Sequence, residues 1–174
     1  HYDDDSYCRL ISPAFFVPTD AVLSFWHWGE LEADDNDATD AGLVQVSDSG
    51  DDWRSIEPED GYSYTIGEGV DSPLSPGTPC FSGSFDWQQE YFDLADFAGS
   101  NIRVSFLFAS DDELNYEGWY LDDLQVNSSA PEWISYQPGA GTVPGAEETT
   151  VYFHFDGSDY ADVVLTGTLA IQSN

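Results

Sequence analysis

The chain has 174 residues, of which 16% are aromatic, and 34 acids stand against three basic side chains, giving a net charge of −31. Those three are Arg9, Arg54 and Arg103, and lysine is absent. No basic patch exists to neutralise phosphates, which excludes nucleic acid and anionic membrane surfaces as partners.

Such a charge often marks a disordered chain. Here the acids are interleaved with Trp, Phe, Tyr, Val and Ile at strand spacing, so a folded domain is expected. The acidity then reads as a heavily solvated surface suited to high salt, with divalent-cation sites neutralising a smaller part of it. No apolar run is long enough to span a bilayer, so no membrane insertion is expected. The chain starts at His1 rather than Met and shows no signal peptide, and it reads as a mature fragment or an excised module.

Helical periodicity is nearly absent, and short strand-like runs alternate with Gly, Pro, Asp and Ser clusters. Near the start lies Cys8, and the only other cysteine is Cys80. In an extracellular protein this even pair predicts one disulfide. "AVLSFWHW" (21–28) is the first strong strand, followed by a long acidic loop, "GELEADDNDATDAG" (29–42), and a second strand, "GLVQVS" (42–47). A long excursion over 58–80 precedes "QQEYFDL" (88–94). Loops this long are often binding loops or are ordered by a metal. In "NIRVSFLF" (101–108), Ile102, Val104, Phe106 and Phe108 share one face while Arg103 and Ser105 share the other, the pattern of a half-buried antiparallel strand. "GWYLDDLQV" (118–126) closes this part, and composition shifts at "NSSAPEW" (127–133). Beyond it "TTVYFHF" (149–155) and "DVVLTGTLAIQ" (162–172) alternate as strands of a small all-β module of immunoglobulin type. The expected organisation is therefore a first domain over 1–127, a linker over 128–132 and a second module over 133–174.

The stretches "LISPAF", "LSFWHW", "DAGLVQVSDSGDDW", "YFDLADFAGSNIRVSFLFASDD" and "EGWYLDDLQV" resemble, in order and spacing over residues 10 to 126, the MAM-like jelly-roll domain appended to secreted bacterial peptidases of the immune-inhibitor-A type. That resemblance implies a two-sheet antiparallel jelly roll, without catalytic activity, in which relatives carry structural cations. Residues 131 to 174 resemble immunoglobulin-like repeats of the BACON or flagellar-associated kind, and the chain stops at Asn174 where such repeats continue into a further strand. The opening segment of the jelly roll before "LISPAF" is also short, so either sheet could be incomplete within this chain.

The carboxylates are the main chemical feature. In "GWYLDDLQV", Asp122 shares a strand face with Tyr120, Leu124 and Val126, and Asp123 shares the other with Trp119 and Leu121. Both faces read as partly buried, and a buried carboxylate demands a partner. Calcium, which takes six to eight oxygen ligands, is the expected cofactor, with Asp122 facing inward unless a β-bulge reverses the parity. Glu30, Glu32 and Asp40 in the loop after the first strand are the remaining candidate ligands, with Glu32 and Asp40 placed by the family pattern. Asp111, Asp112 and Glu117 precede the last strand and would come to the same end if the loops converge. "DDNDATDAG" (34–42) lacks the glycine and the flanking helices of an EF-hand.

His27 reads as a packed or hydrogen-bonded residue rather than a ligand or a general base, since only His1 and His154 accompany it. Of the large aromatics, Trp26, Trp28, Trp53 and Trp119 are expected in the core, while Trp87, Tyr62 and Tyr64 are expected at the surface. No hydrolase, zinc-peptidase or phosphate-loop motif occurs. The expected function is that of a non-catalytic binding, adhesion or spacer module in a larger secreted or cell-surface protein. Its partner would be a glycan or protein ligand, or neighbouring copies of itself. Assembly into an extracellular fibre by strand addition is the alternative, and a polysaccharide-acting enzyme the most remote.

Overall fold

A computed structural model describes residues 1–35 and 37–128, and the backbone of 134–137 and 152–155. The chain divides into two compact units, His1–Ser129 and Ala130–Asn174. In the first unit the strands are β1 (Tyr7–Ile11), β2 (Phe15–Phe16), β3 (Val22–Glu30), β4 (Ala33–Asp34), β5 (Asp37–Ala38), β6 (Ala41–Ser47) and β7 (Arg54–Ser55). They are followed by β8 (Tyr64–Ile66), β9 (Pro79–Cys80), β10 (Ser84–Asp93), β11 (Asn101–Ala109) and β12 (Gly118–Asn127). Among the described residues the only helix is a single 3₁₀ turn at Ala95–Phe97, so none is long and apolar enough to cross a membrane.

The first unit is an antiparallel β-sandwich. One sheet runs β1-β11-β6-β7, with β2 also on β11, and the other runs β10-β3-β12. The long strands alternate between the two: β3, β10 and β12 belong to one sheet, β6 and β11 to the other. That alternation is the connectivity of a jelly roll. Period-two patterning explains the core. Leu23 and Phe25 of β3 and Phe92 of β10 face Val44, Val46, Ile102, Val104 and Phe106 of the opposite sheet, all buried. Phe25 and Phe106 meet edge to face across the sandwich with ring centroids 5.1 Å apart. Gly42 has a steric role here. A Cβ at this position would lie 2.6 Å from the Trp119 ring, so only glycine lets that indole rest on the β6 backbone.

The acidic loop over 29–42 and the long excursion over 58–80 together form a satellite sheet, β4-β5-β8-β9, with a parallel β5–β8 pair. It encloses a small cluster of Ala38, Ala41, Ile66 and Cys80, overlaid by Tyr64, Val70 and Leu74.

Several expectations need correction. Both cysteines are free thiols: Cys8 is exposed on β1, while Cys80 is buried in the satellite cluster, where burial pushes its thiol up to about 12. The two lie in different sheets, Cys8 paired with Phe108 of β11 and Cys80 with Tyr64 of β8. Tyr62 and Tyr64 are half-buried rather than exposed. The Tyr62 hydroxyl accepts the Val44 amide at 3.0 Å and donates to the Ile56 carbonyl at 2.8 Å. The second face of β11 is covered too, with Ser105 and Leu107 fully buried. Above that sheet Arg9 and Arg103 both lie over the Trp53 ring, at 5.4 and 5.2 Å.

Of the second unit, Ile134–Gln137 (β13) pairs antiparallel with Tyr152–Phe155 (β14). The expected strand over 162–172 and the expected chain-end edge lie outside the described residues.

Candidate metal centre

Three segments distant in sequence meet at one end of the sandwich: the turn after β3, the entry to β6 and the exit from β11. They bring Glu32, Asp40 and Asp111 together, each offering a carboxylate oxygen within 4.8 Å of the others. Asp40 is fully buried, Asp111 is buried and Glu32 is half-buried.

The backbone sets this geometry. Both Thr39 and Asp40 donate their amides to the Glu32 carbonyl at 3.1 Å, which closes the β4–β5 hairpin and returns Asp40 beside Glu32. The buried Ser82 hydroxyl donates to the Asp40 carbonyl at 2.6 Å. One oxygen of each carboxylate is then fixed by a main-chain donor. Asp111 N–H donates to Asp40 Oδ1 at 3.1 Å, Leu114 N–H to Glu32 Oε2 at 3.1 Å and Glu113 N–H to Asp111 Oδ1 at 2.9 Å. The Tyr2 hydroxyl donates to the other oxygen of Asp40. The N-terminal segment is held there by Asp5 N–H, which donates to the Asp111 carbonyl at 2.7 Å.

The electrostatics are uncompensated. Burial raises the Asp40 carboxyl above its ordinary range, and the Asp111 charge adds to this, while hydrogen bonds from Tyr2 and Asp111 oppose it. Burial likewise raises Glu32, with Asp111, Asp40 and Glu113 adding repulsion. The Tyr2 phenol is raised by burial and by its contact with Asp40. Among the described residues the ion pairs are His27–Glu90, Arg54–Asp48 and Arg103–Asp51, none of them at this cluster. An all-oxygen, anionic donor set of this kind fits a hard divalent cation such as Ca²⁺ and does not fit a zinc site.

The sequence-derived candidates divide between this cluster and the surface. Glu32 and Asp40 lie in it, and Glu30 lies outside it, half-buried at the end of β3 opposite Ser84 and Gly118. Asp122 and Asp123 also lie outside it and are both exposed, so the inward placement of Asp122 is corrected. The register shifts between Asp122 and Gln125, and Asp123 sits at φ 51°, donating its amide to Asp122 Oδ1 at 2.8 Å. Tyr120, Leu124 and Val126, read as a half-buried face, are 43%, 44% and 39% exposed. Sequence reasoning placed Asp111 near the site without choosing it, and missed Tyr2, whose position at the chain terminus gave no periodic signal.

His27 is fully buried and hydrogen-bonded, packed between Phe81 and Phe85 at ring distances of 4.5 and 4.6 Å.

No family model matches the chain. It is 31% identical over 81 residues to Bacillopeptidase F of Bacillus subtilis (strain 168), a match covering 45% of this chain and 6% of that protein. It is 32% identical over 85 residues to the pre-pro-metalloprotease PrtV of Vibrio cholerae serotype O1 (strain ATCC 39315 / El Tor Inaba N16961), covering 42% of this chain and 9% of that protein. The chain is therefore partially similar to two peptidases, along a stretch that makes up less than a tenth of either.

Proposed function

We propose that this chain is a non-catalytic accessory module of a larger extracellular protein, a MAM-like jelly roll held together at one end by a structural divalent cation, most simply Ca²⁺. The observation that carries the reading is the partial match. A stretch of 81 or 85 residues is shared with two peptidases of which it forms 6% and 9%, which is how a module reused beside unrelated catalytic parts would look. The all-β sandwich and the resemblance carried by "GWYLDDLQV" support it.

On this reading Glu32, Asp40 and Asp111 hold the ion, with backbone carbonyls and water completing its shell. When bound, the cation would neutralise the buried carboxylates. The chain's own residues orient those carboxylates through main-chain donors and tie the N-terminal segment, the β3–β6 connection and the β11 exit to one point. Binding or adhesion, rather than bond cleavage, is then the role.

The test has two arms. Calcium should raise the melting temperature, and Asp40→Asn should abolish the rise. The calcium-loaded chain should cleave neither casein nor a polysaccharide panel. Turnover that is lost on Asp or Glu substitution would refute the module reading, and an unchanged melting temperature would refute the cation.

A further inference from the structure

The outer face of the β10-β3-β12 sheet departs from the rest of this acidic surface. Residue parity places Trp26 and Trp28 of β3, Tyr91 of β10 and Tyr120 of β12 away from the core. Trp26, Tyr91 and Tyr120 are 38%, 43% and 43% exposed. The register fixes their layout. Tyr120 pairs with Trp28, one row above Trp26, and Tyr91 pairs with Ser24, one row below it on the opposite neighbour strand. Tyr120, Trp26 and Tyr91 thus lie on one diagonal crossing all three strands. With rows about 6.8 Å and strands about 4.8 Å apart, successive Cα positions are about 8 Å apart and the track is about 17 Å long, with the Tyr120 ring meeting Trp28 edge to face at 5.5 Å.

Polar groups flank the track. Gln89 and Asp122 are the two cross-strand neighbours of Trp26, and Gln125 pairs with Ser24. The Tyr91 hydroxyl donates to Gln89 Oε1 at 2.8 Å, which fixes that amide beside the ring. All three arginines belong to the other sheet, on β1, β7 and β11, so this face carries carboxylates and amides without a cation.

We infer that this diagonal is a binding track for a linear, uncharged polysaccharide. Sugar rings present an apolar C–H face that stacks on aromatic rings and a rim of hydroxyls that hydrogen-bonds to carboxylates and amides. The diagonal of aromatic positions suits an extended chain. The charge of the face rejects sulfated and uronic acid polymers, which share its sign. The inference rests on the module reading and supplies its ligand class, but it does not depend on the cation.

The test uses the full chain, calcium-loaded, with affinity electrophoresis and tryptophan fluorescence against a soluble β-glucan, a xylan, a mannan and chitin oligosaccharides. Heparin, alginate and polylysine serve as charged controls. Retardation by at least one neutral glycan is expected, with none by heparin or alginate. Trp26→Ala should weaken binding about tenfold or more. Tyr91→Ala and Tyr120→Ala, on the flanking strands, should each weaken it severalfold at an unchanged melting temperature. They keep the test valid if the Trp26 variant does not fold. Absence of binding to every neutral glycan, binding untouched by the tyrosine variants, polylysine as the sole ligand, or Trp26-dependent self-association would each overturn the inference. None of these results bears on the turnover assay or on the calcium-dependent melting shift, so failure here is separable from failure of the module reading and from failure of the cation.

Discussion

Asp40 Oδ1 accepts the main-chain amide of Asp111 at 3.1 Å, joining two acids 71 positions apart in a buried contact. The bond holds the entry of β6 to the exit of β11. It also sets two carboxylates side by side beside Glu32 with no basic partner among the described residues. The stability of this end of the sandwich should therefore follow whatever neutralises that charge.

Calcium is expected to do so. At a concentration about 100 times its dissociation constant, a bound ion adds about 2.7 kcal/mol, which raises the melting temperature on the order of 10 °C. Asp40→Asn should behave with opposite signs in two conditions. It should melt higher than the parent in chelator, because a buried repulsion is gone, and should lose the calcium response. Asp122→Asn and Asp123→Asn should stay within about 0.5 kcal/mol of the parent, as exposed sites do. Calorimetry with and without calcium checks all three.

Acid should partly replace the ion. Asp40 and Glu32 have carboxyls raised above their ordinary 3.8 and 4.5, with burial the first cause in each. A group whose folded pKa lies above its unfolded one binds its proton more readily in the folded state. Its contribution is fully present below the unfolded pKa and is lost as pH rises through the folded one. The chelated chain should therefore gain stability from neutral pH down to about pH 5. Part of that gain comes from relief of the general repulsion at net charge −31, and added salt should reproduce this part. The part due to the site is the difference between parent and Asp40→Asn. Equal gains in the two would show that Asp40 is already charged at no cost.

The thiols offer a simple readout. Cys8 is exposed and Cys80 is buried with its thiol pushed up to about 12. Ellman's reagent should titrate one thiol in the native, non-reduced chain and two after unfolding. Zero in both states would restore the disulfide expected from composition.

Trp119 Nε1–H donates to His27 Nδ1 at 3.1 Å, which leaves His27 Nε2 to carry the proton toward Glu90 Oε1, 3.2 Å away. Trp119→Phe would orphan an acceptor on a fully buried ring. It should cost about 1–3 kcal/mol for that group alone, beyond the loss of packing. Urea unfolding measures it, and a neutral result would mean that water takes the place of the indole.

Alternation of apolar and polar residues determined the strands. Apart from Ala21, positions 21–28, 42–47 and 101–108 fall in β3, β6 and β11 because a two-residue period can bury one face only in an extended chain. Alternation did not single out Glu32 and Asp40, which came from the family resemblance and its acids in the loop over 29–42. It misplaced Asp122, Trp26 and Tyr120. Parity says which residues share a face but not which face is covered, and β10-β3-β12 leaves its outer side open. It misjudged Ser105 for the converse reason, because its face is covered. Nor could it join Cys8 to β11 and Cys80 to the satellite cluster, or bring Asp111 and Tyr2 to Asp40. Those contacts depend on how two sheets stack and where loops from four segments end. Periodicity within a strand sets none of these, and only packing of the whole sandwich decides them.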